Sequence, residues 1–144
     1  MQIGLVGCAM KKRQKPCAAR NLYDRSPLFR GRRLWAVNEC DEWAILSAAH
    51  GLIDPGATLA PYDESLSDKT RPEQLTWALR VLTRLGQELG ELRGVIFSIH
   101  AGHPYFRDLE PRLVEAGAIV NVPTRGMGIG QQLAFYREYK GATL

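Results

Sequence analysis

The sequence predicts an α/β fold, a three-layer α/β/α sandwich with a mainly parallel four-stranded sheet, and three observations carry that expectation. Four short apolar runs recur along the chain, each followed by a stretch with helical signals. A β-α-β-α-β-α-β-α order favours parallel pairing through right-handed crossovers, which cover both faces of the sheet. With 144 residues, 45% hydrophobic and 24% charged, the chain has the size of one globular domain, taken as residues 1–144.

Residues 2–8 (Gln-Ile-Gly-Leu-Val-Gly-Cys) form the first run, continuous rather than alternating, as expected of a parallel strand buried on both faces. A basic loop follows. Ser26 before Pro27 is a helix-start pair, and residues 27–37 make the first helix. Residues 43–48 (Trp-Ala-Ile-Leu-Ser-Ala) give the second strand, which leads into a Gly- and Pro-rich connection from Gly51 to Pro61. That connection is predicted as a loop, and a long loop in a small domain tends to serve function. Residues 72–89 set Leu75, Ala78, Leu79, Leu82, Leu85 and Leu89 at helical spacing, the strongest amphipathic signal in the chain. Gly90 and Gly94 bracket the turn into the third strand, Val95 to Ile99, and Pro104 opens a helix that ends near Gly117. The fourth strand, Ala118 to Val122, precedes a Gly-rich turn and a last helix from about Ile129 to Tyr139.

Nineteen Lys and Arg against fifteen Asp and Glu leave a net charge of +4, which suits a polyanionic partner without requiring one. Lys11, Lys12, Arg13, Lys15, Arg20, Arg25, Arg30, Arg32 and Arg33 crowd into the first quarter of the chain and would draw phosphates to one end of the molecule. A solvated loop and helix face explains the same cluster. No basic segment precedes a long apolar stretch, and no run approaches the ~18 apolar residues of a membrane span, so a cytoplasmic protein is expected. Cys8, Cys17 and Cys40 fit neither a disulfide framework nor a paired zinc site.

In parallel sheets ligands bind beyond the carboxyl ends of the strands, where loops converge and helix N-termini point their free amides. The residues after each predicted strand are far from random. The first strand is followed by Cys8, Lys11 and Lys12. The second is followed by Ser47 and His50, with Tyr62 and Asp63 at the far end of the loop. The third is followed by His100, Gly102, His103 and Tyr105. All three histidines thus fall on one rim, which favours function over structure for them. His100 and His103 lack a nearby Cys or carboxylate as third ligand, so neither a metal nor a cofactor is predicted.

The order Leu-Val-Gly-Cys-x-x-Lys-Lys, Ala-Arg-Asn-Leu-Tyr, Ser-Pro-Leu-Phe, Ile-Leu-Ser-Ala-x-His-Gly-Leu and Pro-Tyr-Asp, spanning residues 5–63, carries a resemblance. It resembles a bacterial and phage family of short domains related to the YaaA peroxide-stress DNA-binding proteins. His-Ala-Gly-x-x-Tyr at 100–105 and Gly-Ile-Gly-Gln-Gln-Leu at 128–133 extend the likeness thinly. That family is similar in architecture to the uracil-DNA glycosylases, whose four-stranded parallel sheet receives a flipped base at its strand ends. The resemblance implies a DNA glycosylase that removes a modified base, a bulky phage-type pyrimidine being one candidate, in an anti-phage setting. Those glycosylases carry a water-activating Asp just after the first strand; here that loop holds Cys8, Lys11 and Lys12, so the acid must come from elsewhere.

Breaking an N-glycosidic bond builds positive charge on the sugar and negative charge on the base, so a site needs an anion near one and donors near the other. Asp63 is the expected carboxylate, with His50 or His100 donating to the leaving base. Lys11 and Lys12 would hold flanking phosphates, and Tyr23, Tyr62 or Tyr105 would stack on the extruded base, with Cys8, Ser47 and Gly102 completing the contacts. Two other functions fit the same residues: a non-catalytic DNA-binding stress protein, and an N-glycosidase or transferase acting on free nucleosides or nucleotides. The partner in the first two cases is DNA, and the oligomeric state is left open.

Overall fold

At the centre of the fold lies β1 (Gln2–Gly7), with β3 (Glu42–Ser47) on one side and β6 (Ile96–His100) on the other. A computed structural model describes residues 1–139 of the chain, so residues 140–144 of the predicted domain lie outside the described residues. β7 (Ile119–Asn121) extends the sheet beyond β6, and these four strands run parallel. Leu5 sits between Ala44 and Ile99, and Val6 between Ile45 and His100.

The expected four-stranded sheet needs a correction, because a fifth strand makes it mixed. β4 (Gly51–Ile53) folds back antiparallel on β3 through Ala48, Ala49 and His50, giving the order β4-β3-β1-β6-β7. It lies in the segment expected to be loop. Gly51 takes the positive φ of 71° that the reversal needs, and Leu52 and Ile53 bury on opposite faces. Three residues are too few for a period of two to be read from sequence. Further along the same segment, β5 (Thr58–Leu59) pairs antiparallel with β2 (Cys17–Ala18), tying the long connection to the basic loop.

Helices cover both faces. On one, α3 (Arg71–Leu89) and α5 (Leu109–Glu115) bury Trp77, Val81, Leu85, Leu109 and Leu113 against Ile3, Leu5, Leu46, Phe97 and Ile99. On the other, α1 (Ala19–Leu22) and α2 (Pro27–Glu39) bring Leu22, Phe29 and Ala36 to Val6, Ile45 and Ile53, while α6 (Ile129–Glu138) packs on α2. Ser26 caps α2 by accepting from the Phe29 amide at 3.1 Å, and Thr70 with Glu73 forms a capping box for α3. The helix expected from Pro104 is split into α4 (His103–Phe106) and α5, with Asp108 at the break held by both terminal nitrogens of Arg71 at 2.9 Å.

Two glycines let α2 come close to its neighbours. A Cβ at Gly4 would lie 2.8 Å from the Ala36 Cβ, and one at Gly31 would lie 2.5 Å from the Tyr136 Cβ. The chain leaves β1 toward β3 over the α2 face and returns from β3 to β6 over the α3 face. The direction of winding therefore reverses between β1 and β6, where open α/β sheets form their ligand crevice. Among the described residues, no helix is long and apolar enough to cross a membrane.

Candidate functional site

Cys8 follows β1 directly and continues its ladder, its amide donating to the Leu46 carbonyl at 2.9 Å. Across the switch point, the Cys8 Sγ and the Tyr105 hydroxyl approach to 3.3 Å. Tyr105 rides on α4, whose start Pro104 favours, and its ring meets Trp77 edge-on at 5.4 Å. The Trp77 indole N–H donates to the Ser47 carbonyl at 2.7 Å, so the crevice is joined to the end of β3. Burial first, and Cys8 second, push the Tyr105 phenol well above its usual range.

A second cluster lies beyond β3. The Tyr62 hydroxyl sits 2.7 Å from the Ser47 Oγ and 2.5 Å from the Tyr23 hydroxyl, and the Ser47 Oγ also accepts the His50 amide at 3.1 Å. Lys12 places its ammonium 4.5 Å from the centre of the Tyr62 ring, and the His50 ring packs edge-on against the same tyrosine at 5.1 Å. Desolvation lowers the Lys12 pKa, while the nearby Cys8 and Asp63 oppose that shift. The Asp63 carboxylate is exposed, as is Lys11 on the same basic loop. Cys8, Lys12, Ser47, His50, Tyr62, Asp63 and Tyr105 are thus brought to one edge by loops from three strands.

Two expectations change. Tyr23 is fully buried against Phe29 at 5.2 Å and offers no face for stacking, a correction to its expected role; burial pushes its phenol up to about 12. It supports Tyr62 instead. His100 is likewise corrected, being 0% exposed rather than set on the rim. Its Nε2 lies 2.9 Å from the Ser98 Oγ, its Nδ1 2.6 Å from the Tyr136 hydroxyl, and its ring 4.4 Å from Trp35. Desolvation, with Arg32 adding repulsion, pushes its pKa down to about 3, so the imidazole is neutral. The cause is strand alternation: Phe97 and Ile99 face α3, which turns Ser98 and His100 toward α2 and α6.

The far side of the crevice holds features that sequence reasoning missed. A cavity of about 620 Å³ opens between the β6–α4 loop, with Ala101, Gly102 and His103, and the Thr124–Gly128 turn before α6, with Gln132 in its wall. Gly102 borders this open space. Under this wall lies Arg32, only 6% exposed. Its Nη2 donates to the Gln132 Oε1 at 2.9 Å, and the Gln132 Nε2 donates in turn to the Met127 carbonyl at 3.0 Å. Among the described residues no carboxylate pairs with Arg32, and its Nε finds no hydrogen-bond partner. Burial lowers its pKa, with Tyr136, Cys8 and Tyr105 acting in the opposite direction. Arg32 stood in a run of basic residues that reads as surface. Its spacing from Phe29 and Ala36, three and four residues away, was the available sign that it shares their buried face.

Among the described residues, no group of three or more His, Cys, Asp or Glu gathers to hold a metal, and Cys8, Cys17 and Cys40 are free thiols. The sequence profile of a family described as a family of unknown function (DUF6884) matches residues 3–138, so the chain belongs to that family. No curated protein and no solved structure matches it.

Proposed function

We propose that this member of the DUF6884 family hydrolyses the N-glycosidic bond of a modified base in DNA, leaving an abasic site, on a uracil-DNA-glycosylase-like arrangement of sheet and rim. One observation carries the reading: an exposed carboxylate, Asp63, acts on an ammonium, Lys12, which itself lies over an aromatic ring, Tyr62, at the carboxyl edge of a doubly wound sheet. Anion, cation and stacking face are the three elements that base extrusion and sugar-cation chemistry need together.

In the proposed reaction the C1′–N bond breaks with its electron pair leaving on the base. A water oxygen bonds to C1′, and the proton that water gives up ends on the base. Asp63 steadies the positive sugar and orients the water. His50, exposed beside Tyr62, donates to the departing base, and Lys11 and Lys12 hold the flanking phosphates. Tyr62 and Tyr105 border the extruded base, while Ser47 and Tyr23 hold the Tyr62 hydroxyl in position. The bacterial and phage resemblance makes a bulky phage-type pyrimidine the first substrate to try, with anti-phage defence as its setting.

Asp63→Asn protein is expected to fold and bind DNA while base release falls about 10²-fold or more, since preorganised charge at the sugar is lost. The measurement is mass spectrometry of bases freed from a panel of modified phage DNAs. Release equal to wild type would remove Asp63 from this role. A second reading, a DNA-binding protein without catalysis, draws on a hollow of about 570 Å³ bordered by Arg13, Lys15 and Arg25. Tight duplex binding by the wild-type protein with no base freed from any DNA would select it.

A further inference from the structure

Among the described residues, Lys12 alone of the lysines is neither exposed nor paired with a carboxylate. Lys11 and Lys15 are exposed, and Lys69 bonds to Glu64 at 3.1 Å. The half-buried Lys12 ammonium donates instead to the Met10 carbonyl at 3.2 Å and lies over the rings of Tyr62, at 4.5 Å, and Tyr23, at 5.9 Å. A carbonyl and aromatic surface thus replace its water, and the charged form loses hydration without gaining an ion pair. That desolvation, opposed by Cys8 and Asp63, holds the pKa below the ordinary lysine value and enlarges the share of free amine. A desolvated lysine amine is a nucleophile toward carbonyl carbon.

The place of this amine matters as much as its surroundings. The loop after β1 carries it to the carboxyl edge of the sheet, near Asp63, the carboxylate given to the sugar in the reaction above. Hydrolysis of an N-glycosidic bond leaves a hemiacetal at C1′, which opens to an aldehyde found nowhere in intact DNA. An amine and a carboxylate beside that sugar are the pair that Schiff-base formation and proton abstraction call for.

We propose that Lys12 is the nucleophile of a second activity, an abasic-site lyase that cuts the strand on the 3′ side of the sugar after the base has left. The inference rests on the glycosylase reading for the source of the abasic site. The Lys12 Nζ bonds to C1′ as the aldehyde π pair moves onto oxygen. That oxygen leaves as water, with one proton from the amine and one from solvent, and an iminium remains. Asp63 takes a proton from C2′, later returned to solvent. The electron pair of that C–H bond passes through an enamine into a C2′–C3′ double bond, as the C3′–O bond breaks with its pair on the phosphate. Water then hydrolyses the iminium, freeing the amine and an unsaturated aldehyde, so the step consumes no oxidant or reductant. The phosphate contact of Lys12 precedes this step, since the aldehyde exists only once the base is gone, and Lys11 keeps hold of the backbone.

The test uses a duplex that already contains one abasic site, so base release is not required of the protein. The full chain is mixed with this duplex and sodium borohydride, which reduces the iminium to a stable amine, and the adduct is digested and mapped by mass spectrometry. A covalent adduct on Lys12 is expected and, without borohydride, a nick 3′ to the abasic site. Lys12→Arg keeps the positive charge but cannot form the bond, and it should lose both adduct and nick with its Tm unchanged. Lys69→Arg should retain both. No adduct with the wild-type protein, an adduct carried mainly by another amine, or undiminished nicking by Lys12→Arg would overturn the proposal. Base release from modified phage DNA, measured in parallel, separates the two readings. Base freed without any adduct overturns the lyase alone, whereas an adduct on Lys12 with no base freed from any DNA supports the lyase and overturns the glycosylase.

Discussion

Burial decides which of the site residues can act and which can only support. His100 shows the point through its titration. The unfolded chain protonates this histidine near its ordinary value of 6.5, whereas the folded protein does so only near 3. Between those values the unfolded state binds more protons, so stability is full at neutral pH and declines as pH falls below about 6.5. The slope approaches about 1.4 kcal/mol per pH unit for one group. Urea unfolding at pH 7 and pH 5 should show a lower midpoint at pH 5, and His100→Gln should narrow that gap; an unchanged gap would mean that other groups set it. At this scale, the meeting of Cys8, Lys12, Ser47, His50, Tyr62 and Tyr105 was legible because each lies at or beyond the carboxyl end of a strand that the sequence announces. His100 was misjudged because the side of a strand on which a residue lies depends on register, which shifts with a single position, and Tyr23 because its burial follows from the packing of α1 against Phe29 of α2.

The elements meet through close approaches that only small residues permit. Gly31 faces Tyr136 where α2 crosses α6, so Gly31→Ala must push apart the helices that carry Arg32 and Gln132. A loss of about 1–3 kcal/mol is expected, as for other overpacked contacts, and thermal unfolding will read it. Gly86 in α3 offers the opposite case, because nothing lies within 4 Å of an added Cβ. Gly86→Ala should raise stability by about 0.5–1 kcal/mol through helix propensity and a less flexible unfolded chain. Helices α2, α3 and α6 were legible from caps, prolines and apolar spacing, each within a residue or two of its observed ends. Strands β2, β4 and β5 were not, since two or three residues hold no period, and β2 and β5 in addition find their partners far along the chain.

For the molecule as a whole, charge and topology act together. Of the basic residues crowded into the first quarter of the sequence, Lys11, Lys12, Arg13 and Lys15 lie on the loop that follows β1 at its carboxyl end, while Arg20, Arg30, Arg32 and Arg33 lie on α1 and α2. If duplex DNA binds there, its affinity should fall linearly with the logarithm of salt concentration, and Lys11→Ala should reduce the slope by about one while leaving sequence preference alone. A slope unaffected by this change would put the duplex on another surface. The sequence by itself determined the α/β class, the order of the main strands and helices, and the rim that collects the polar residues, because these follow from local periodicity and chain connectivity. Only the tertiary structure decided that the sheet is mixed, that His100 and Tyr23 are interior, and that a buried Arg32 stands beside a glycine-lined cavity. The interior places of Arg32 and His100 arise from contacts between segments far apart in sequence, Arg32 with Gln132 and His100 with Tyr136 among them, while the strand that makes the sheet mixed is too short to carry a period.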